Sequence, residues 1–272
     1  MQTADSRTEP ASGGTRLAPP LKWAGGKRRL VPVLAPLWAP HAGRRLVEPF
    51  VGGLAVALGL APRAALLNDA NPHLINFYRH LQQGLIVDIP LANDPAVYYR
   101  YRARFNALVA DGGAASAEAA ALFYYLNRTG YNGLCRFNRR GAFNVPFGRY
   151  ARIAYTTDFR AYQAPLAGWT FTAGDFAALA LRPDDFVYAD PPYDVEFTSY
   201  SPGGFTWADQ ERLARRLAAH PGPVVASNQA TPRVLALYRD LGFTIEVRPA
   251  PRMIACNGDR RPAQEMLATR GL

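Results

Sequence analysis

The chain has 272 residues, enough for one large domain or two smaller ones with a sizeable core, and 49% hydrophobic with 19% charged residues is ordinary for a globular protein. A formal net charge of +10 favours a polyanion or an anionic membrane surface as partner, while no apolar run approaches the roughly 20 residues that a membrane span needs. Two cysteines, Cys135 and Cys256, exclude a framework of several disulfides, and the four histidines (His41, His73, His80, His220) share no metal-site spacing with them, so no metal is expected.

Residues 1–16 mix Ser, Thr, Gly and Pro with charges and lack the apolar stretch of a secretion signal. They are expected to form a disordered arm of a cytoplasmic protein. The next segment, Leu21-Lys22-Trp23-Ala24-Gly25-Gly26-Lys27, carries both lysines of the sequence; the other 29 basic residues are Arg. A Lys in such a chain suggests a need for a compact, flexible ammonium rather than a guanidinium fork; chance and a basic loop are the alternative. Residues 45–48 and 64–68 then read as strands, and 54–60 and 71–83 as helices, the second with a polar outer face.

Residues 85–165 break this rhythm. They hold the run Tyr98-Tyr99-Arg100-Tyr101-Arg102-Ala103-Arg104-Phe105, an Ala-rich helix at 116–127, and a Gly, Asn, Arg and aromatic segment up to Tyr150 that resembles a hairpin. The alternation resumes with strand candidates at 169–172, 186–189, 224–227 and 243–247, and helical patterns at 207–219 and 232–241. Strands alternating with helices imply βαβ units and a mostly parallel α/β sheet.

Three elements carry chemistry. Asp190-Pro191-Pro192-Tyr193 directly follows the hydrophobic run at 186–189, so its carboxylate belongs at the C-terminal end of a strand, where open α/β sheets bind ligands. Pro191 has no N–H and its carbonyl can face a ligand; Tyr193 supplies a flat ring. Two acceptors over an aromatic floor suit an exocyclic amine, although Asp-Pro also marks an ordinary turn. Val47-Glu48-Pro49-Phe50-Val51-Gly52-Gly53 is a strand, glycines and then a helix, yet not a Gly-x-Gly-x-x-Gly fingerprint or a phosphate loop. Asn68-Asp69-Ala70-Asn71 follows, and an acid ending that second strand can accept from ribose hydroxyls. Asp69 could instead cap a helix, a role that suits Asn71 better. Third, Arg, Asn and aromatic residues interleave from Asn127 to Tyr150. Such side chains read base edges, hold phosphates or wedge between bases, and the same composition also suits a solvated loop.

Taken in order, Lys22-Trp23-Ala24-Gly25-Gly26-Lys27, Glu48-Pro49-Phe50-Val51-Gly52-Gly53, Asp69-Ala70-Asn71 and Asp190-Pro191-Pro192-Tyr193 resemble the Dam-type DNA adenine-N6 methyltransferases, from about Leu21 to Leu267. The resemblance implies a Rossmann-like methyltransferase sheet with an inserted, mostly helical DNA target-recognition domain carrying a β-hairpin. The catalytic domain would comprise 17–84 and 166–272, and the recognition domain 85–165. It implies S-adenosylmethionine held by Trp23, Lys27, Asp69 and Asp190, with Phe50 and Gly52 lining the methionine and sugar region, and Asp175 and Phe176 beside the cofactor adenine. Asp190, Pro191, Pro192 and Tyr193 would be catalytic. On duplex DNA, Tyr131 and Asn132 would fill the gap left by a flipped adenine, Leu134, Arg136 and Pro146 would read flanking bases, Arg149 a phosphate and Lys22 the first base. Asn138 completes this DNA-binding set, and GATC is the expected site. Many members carry a third small residue where this chain has Leu54, which weakens the role of Gly53. A monomer on double-stranded DNA, without metal or membrane, is expected. An RNA or protein amide-nitrogen methyltransferase, or a DNA-binding regulator without activity, are the competing readings.

Overall fold

The computed structural model describes residues 17–194, 204–250 and 263–272; the expected arm at 1–16 and Cys256 lie outside them. Along the chain, α1 (Val31–Trp38) precedes β1 (Leu46–Glu48), α2 (Ala55–Leu60), β2 (Ala65–Asp69) and α3 (Pro72–Gln82). Then come α4 (Pro95–Ala110), α5 (Ala117–Thr129) and the short α6 (Gln163–Leu166). The remainder is β3 (Trp169–Ala173), β4 (Phe186–Ala189), α7 (Trp207–Ala219), β5 (Val224–Gln229), α8 (Pro232–Asp240), β6 (Thr244–Ala250) and β7 (Ala263–Arg270).

Local chemistry fixes where most helices start. Asn71 caps α3 by accepting from the His73 and Leu74 N–H groups, as the sequence suggested. Asp94, Ser116 and Thr231 cap α4, α5 and α8, and Thr206 with Asp209 forms a reciprocal capping box on α7.

The strands form one sheet in the order β3-β2-β1-β4-β5-β7-β6. The pairs among β1 to β5 are parallel, and β7 runs antiparallel to both β5 and β6. Residues alternate between the two faces: Leu46, Leu67, Phe186 and Val225 pack toward α1, α2 and α3, while Val47, Leu66, Val187 and Val224 pack toward α7 and α8. Burial on both faces explains why these strands read as continuous apolar runs. The expected α/β sheet is present, but β7 was not anticipated.

Residues 85–165 carry the helices α4 and α5, and the core continues into them without a break. Phe77 of α3 stacks on Tyr124 of α5 at 5.9 Å, and Phe159 meets both rings edge-on. The expected β-hairpin needs correction. Among the described residues its arms pair only at the isolated antiparallel bridges Gly130↔Phe147 and Phe137↔Phe143. Residues 131–133 form a single 3-10 turn with Asn132 and Gly133 at positive φ, and Pro146 has no N–H to give. The ladder therefore cannot propagate, and an open ribbon results.

Candidate active site

The strand order reverses between β1 and β4, and a crevice opens at the carboxyl ends of strands on either side of such a reversal. The cleft there encloses about 2300 Å³. Pockets for one small ligand are typically about 300–1,000 Å³, so there is room for two. Because β7 runs opposite to β5, pairing Glu265 with Gln229, the start of β7 reaches the same edge as the ends of the parallel strands.

Asp190 leaves β4 into this cleft, and both its oxygens are held. Lys27 Nζ is 2.9 Å from Oδ2, and Ser227 Oγ donates to Oδ1 at 2.8 Å. Burial pushes the carboxyl up, while the Lys27 ammonium and the Ser227 hydroxyl pull the other way. Lys27 Nζ also lies 4.5 Å from the centre of the Tyr193 ring and 3.8 Å from Glu265 Oε1. The Tyr193 hydroxyl donates to Glu265. Gln210 of α7 donates to the Pro192 carbonyl at 2.8 Å and is itself held by Asn228 Nδ2. Arg233 and Thr231 bind the Asp194 carboxylate. The loop after β4 is thus clamped by side chains from α7, β5, α8 and β7.

Beside it lies the glycine turn after β1. The Gly52 N–H donates to Asp69 Oδ2 at 3.1 Å, and the Asn71 N–H to Oδ1 at 3.0 Å. Burial raises the Asp69 carboxyl, and these two hydrogen bonds oppose the rise. Trp23 lies directly over the turn: a Cβ on Gly52 would stand 2.8 Å from Trp23 Nε1, and one on Gly53 2.7 Å from Trp23 Cβ. The departure at Leu54 therefore leaves the need for Gly53 intact. Glu48, at the end of β1, is buried with Oε1 unpartnered; burial holds it well above the usual carboxylate range, and Asp190 adds to the rise.

At the far end, Phe50, Phe176 and Phe205 form a cluster with centroids 5.5–6.0 Å apart. Arg212 of α7 lies 4.5 Å from the Phe176 ring and grips both Asp175 oxygens. Its guanidinium holds the Asp175 carboxyl below the ordinary value.

At the near end, Lys22 meets the ribbon. Lys22 Nζ donates to the Arg128 carbonyl at 2.9 Å and lies 3.4 Å from the Tyr150 ring centre. Buried Asn127 accepts from the Lys22 N–H and donates to the Lys22 and Gly133 carbonyls. Asn132 and Leu134 line the cleft together with Lys22, Trp23, Lys27, Phe50, Gly52, Asp69, Asp175, Phe176 and residues 190–193. Tyr131, Arg136, Asn138, Pro146 and Arg149 lie outside it, on the exposed ribbon. Arg136 Nε donates to Asn144 Oδ1 across the ribbon. Asn138 Oδ1 accepts from the Arg140 and Ala142 N–H groups, so this oxygen shapes the ribbon's tip.

Sequence reasoning missed Glu265, Ser227, Gln210, Arg212 and Asn127. Glu265 left one sign, an acid opening the apolar run Met266-Leu267-Ala268. No group of three or more His, Cys, Asp or Glu among the described residues could hold a metal ion.

A doubly wound sheet with an acidic, proline-stiffened loop at its switch point defines an α/β, Rossmann-like architecture, and similarity to known proteins narrows the class. The model of the D12 class N6 adenine-specific DNA methyltransferases matches residues 23–254. The DNA adenine methylase of Vibrio cholerae is 39% identical over 271 residues, covering 91% of this chain and 94% of its own. The Retron Ec67 DNA adenine methylase of Escherichia coli is 36% identical, covering 92% and 90%. The DNA N-6-adenine-methyltransferase of Escherichia phage P1 is 36% identical over 96% of this chain, which spans only 36% of the phage protein's length. The chain belongs to the D12 class of N6 adenine-specific DNA methyltransferases.

Proposed function

We propose that this enzyme moves the methyl group of S-adenosylmethionine to N6 of an adenine flipped out of double-stranded DNA, within GATC. The observation that carries the reading is the Asp190 carboxylate, fixed at the switch point with Lys27 and the Tyr193 ring against it.

Several features fit the cofactor. An ammonium would satisfy the unpartnered Glu48 Oε1. Asp69 can accept from ribose hydroxyls, the Phe50 and Phe176 rings offer apolar faces for an adenine, and Trp23 with Gly52 forms the wall between. Lys27, Asp175 and Asp190 complete this set. When bound, S-adenosylmethionine supplies an activated methyl on a sulfonium.

The protein's task is to prepare the amine, whose lone pair is delocalised into the adenine ring. Hydrogen bonds from its N–H groups to Asp190 and to the Pro191 carbonyl favour a more tetrahedral nitrogen and free that lone pair. Fixed groups of this kind are often the largest catalytic contribution, about 3–4 kcal/mol for each one lost. Pro192 stiffens the loop, and Tyr193 gives the base a surface to stack on. Extruding the base costs a few kcal/mol, which stacking on Tyr193 and insertion of Tyr131 and Asn132 would offset. Residues 85–165 would act as the target-recognition unit, in which Leu134, Arg136, Asn138 and Pro146 face bases or their backbone, Arg149 a phosphate and Lys22 the first base.

The test is transfer of labelled methyl to GATC duplexes, to duplexes with one base pair changed, to RNA and to protein. Label in N6-methyladenine of the GATC duplex alone is expected. Label on RNA alone would overturn the substrate, equal labelling of all duplexes would overturn GATC, and DNA binding without methylation would favour a regulator.

A further inference from the structure

Behind Asp190 lies a pair of hydroxyls that the reaction as described leaves unused. Ser227 on β5 and Tyr188 on β4 are 0% and 1% exposed, inside the sheet. Tyr188 pairs with Val225 and Ala189 with Ala226; continuing that register by one step puts Ser227 beside Asp190. Ser227 Oγ donates to Asp190 Oδ1 at 2.8 Å, and the Tyr188 hydroxyl is 2.9 Å from Ser227 Oγ.

A serine hydroxyl has one proton. An ionised carboxylate only accepts, so Ser227 must give its proton to Asp190, and Tyr188 must give its own to Ser227. The chain of donors therefore runs one way, from Tyr188 to Ser227 to Asp190, and it favours the charged carboxylate. It also fixes the carboxylate's rotation, because Oδ1 is tied to the sheet while Oδ2 faces the cleft and Lys27. Both hydroxyls are buried, and each gives its proton within this chain of donors.

We propose that Ser227, backed by Tyr188, is a positioning residue for methyl transfer, holding Asp190 ionised and rotated so that Oδ2 alone meets the target amine. This rests on the reading of Asp190 as the amine's acceptor. The other groups facing Asp190 are Lys27 ahead of α1, Glu48 on β1 and Glu265 on β7, with Tyr193 beside it.

The experiment compares wild type, Ser227→Ala, Ser227→Thr and Tyr188→Phe by two readouts. One is the single-turnover methylation rate against pH with saturating S-adenosylmethionine and duplex DNA. The other is the carboxyl ¹³C titration of Asp190 in the ligand-free protein, labelled at aspartate. A hydrogen bond to a charged group is worth enough to change a rate by about tenfold to a hundredfold. Ser227→Ala should slow transfer by that factor and move both the acid limb and the Asp190 titration to higher pH. Tyr188→Phe should move both less, in the same direction, and Ser227→Thr should restore them. If Ser227→Ala fails to fold, the Tyr188→Phe titration decides. An unmoved titration, or a rate loss that only follows lost thermal stability, overturns the proposal. Asp190→Ala separates the two ideas: a dead Asp190→Ala with an unaffected Ser227→Ala refutes the role of Ser227, and an active Asp190→Ala refutes the reading beneath it.

Discussion

The Lys27 ammonium lies 2.9 Å from Asp190 Oδ2 and 4.5 Å from the centre of the Tyr193 ring, so one cation touches both groups assigned to the target base. Breaking a buried pair from one side typically costs about 3–5 kcal/mol. With side chains 13% and 18% exposed, the lower end applies. Lys27→Met removes the partner that favours the ionised form, so the folded-state value of Asp190 rises further above its unfolded one. Stability present at low pH is then lost as pH climbs through the folded value. Urea melts should show a larger deficit for Lys27→Met at pH 8 than at pH 5; an equal deficit would count against the pairing.

Glu48 gives a second pH signature. Its folded value is held well above the ordinary one, mainly by burial. Below its unfolded value, about 4.3, both states hold the proton. As pH rises past that point the unfolded chain releases it first, and stability falls until the folded group ionises too. Glu48→Gln removes this dependence. Ligand-free thermal melts should therefore show the variant gaining on wild type between pH 4 and pH 7, and parallel curves would refute it.

Leu54 sits at φ 63° and is fully buried. A left-handed residue with a Cβ costs about 1–2 kcal/mol, and emptying a buried leucine site about 2–5 kcal/mol. Both Leu54→Ala and Leu54→Gly should destabilise. The glycine variant, freed of backbone strain, should melt at or above the alanine variant, an inversion of the usual order. A clearly lower glycine variant would mean that the turn carries no strain.

Gly133 lies where the ribbon meets the N-terminal segment; its φ is +63° and an added Cβ would stand 2.4 Å from Lys22 Cβ. Gly133→Ala should push Lys22 away from the Arg128 carbonyl and the Tyr150 ring, weakening discrimination among duplexes while leaving S-adenosylmethionine affinity within about twofold. Calorimetry with cofactor and competition between duplexes would separate these effects, and a matched loss of both would point to general unfolding instead.

Arg136 is steadied by Asn144 across the ribbon. If its guanidinium reads one base pair, Arg136→Ala should relax preference there by about 1–3 kcal/mol and leave the other positions unchanged. Rates on a set of singly altered GATC duplexes would show this, and an unchanged preference would remove Arg136 from the reading set.

Much of the fold was visible in the sequence because its strands are buried on both faces and bounded by glycines, prolines and caps. Asn71 as the cap of α3 was legible for that reason. Strand β7 was not, since its pairing with β5 is antiparallel and nothing in its own pattern says which neighbours it will take. The ribbon reads as a hairpin and its arms do run antiparallel, but the left-handed Asn132 and Gly133 and the missing N–H of Pro146 reduce their pairing to isolated bridges. In the site, residues in short signatures such as Asp190 and Asp69 were legible. Ser227, Gln210 and Asn127 were not, because each stands beside other polar residues and the sequence does not say which of them turns inward to a partner.

Strand β7 enters the sheet between β5 and β6, and this dictates an order of assembly. Until residues 263–270 are made, β5 and β6 each leave an open edge, and unpaired edges invite pairing with other chains. A polypeptide stopped before Ala263 would thus carry sticky strands, and it would lack Glu265, the acceptor for Tyr193. The hydrogen-bond partner of Tyr193 and the cover for the edge of β5 therefore arrive with the same strand, so a chain ending before it should be prone to associate.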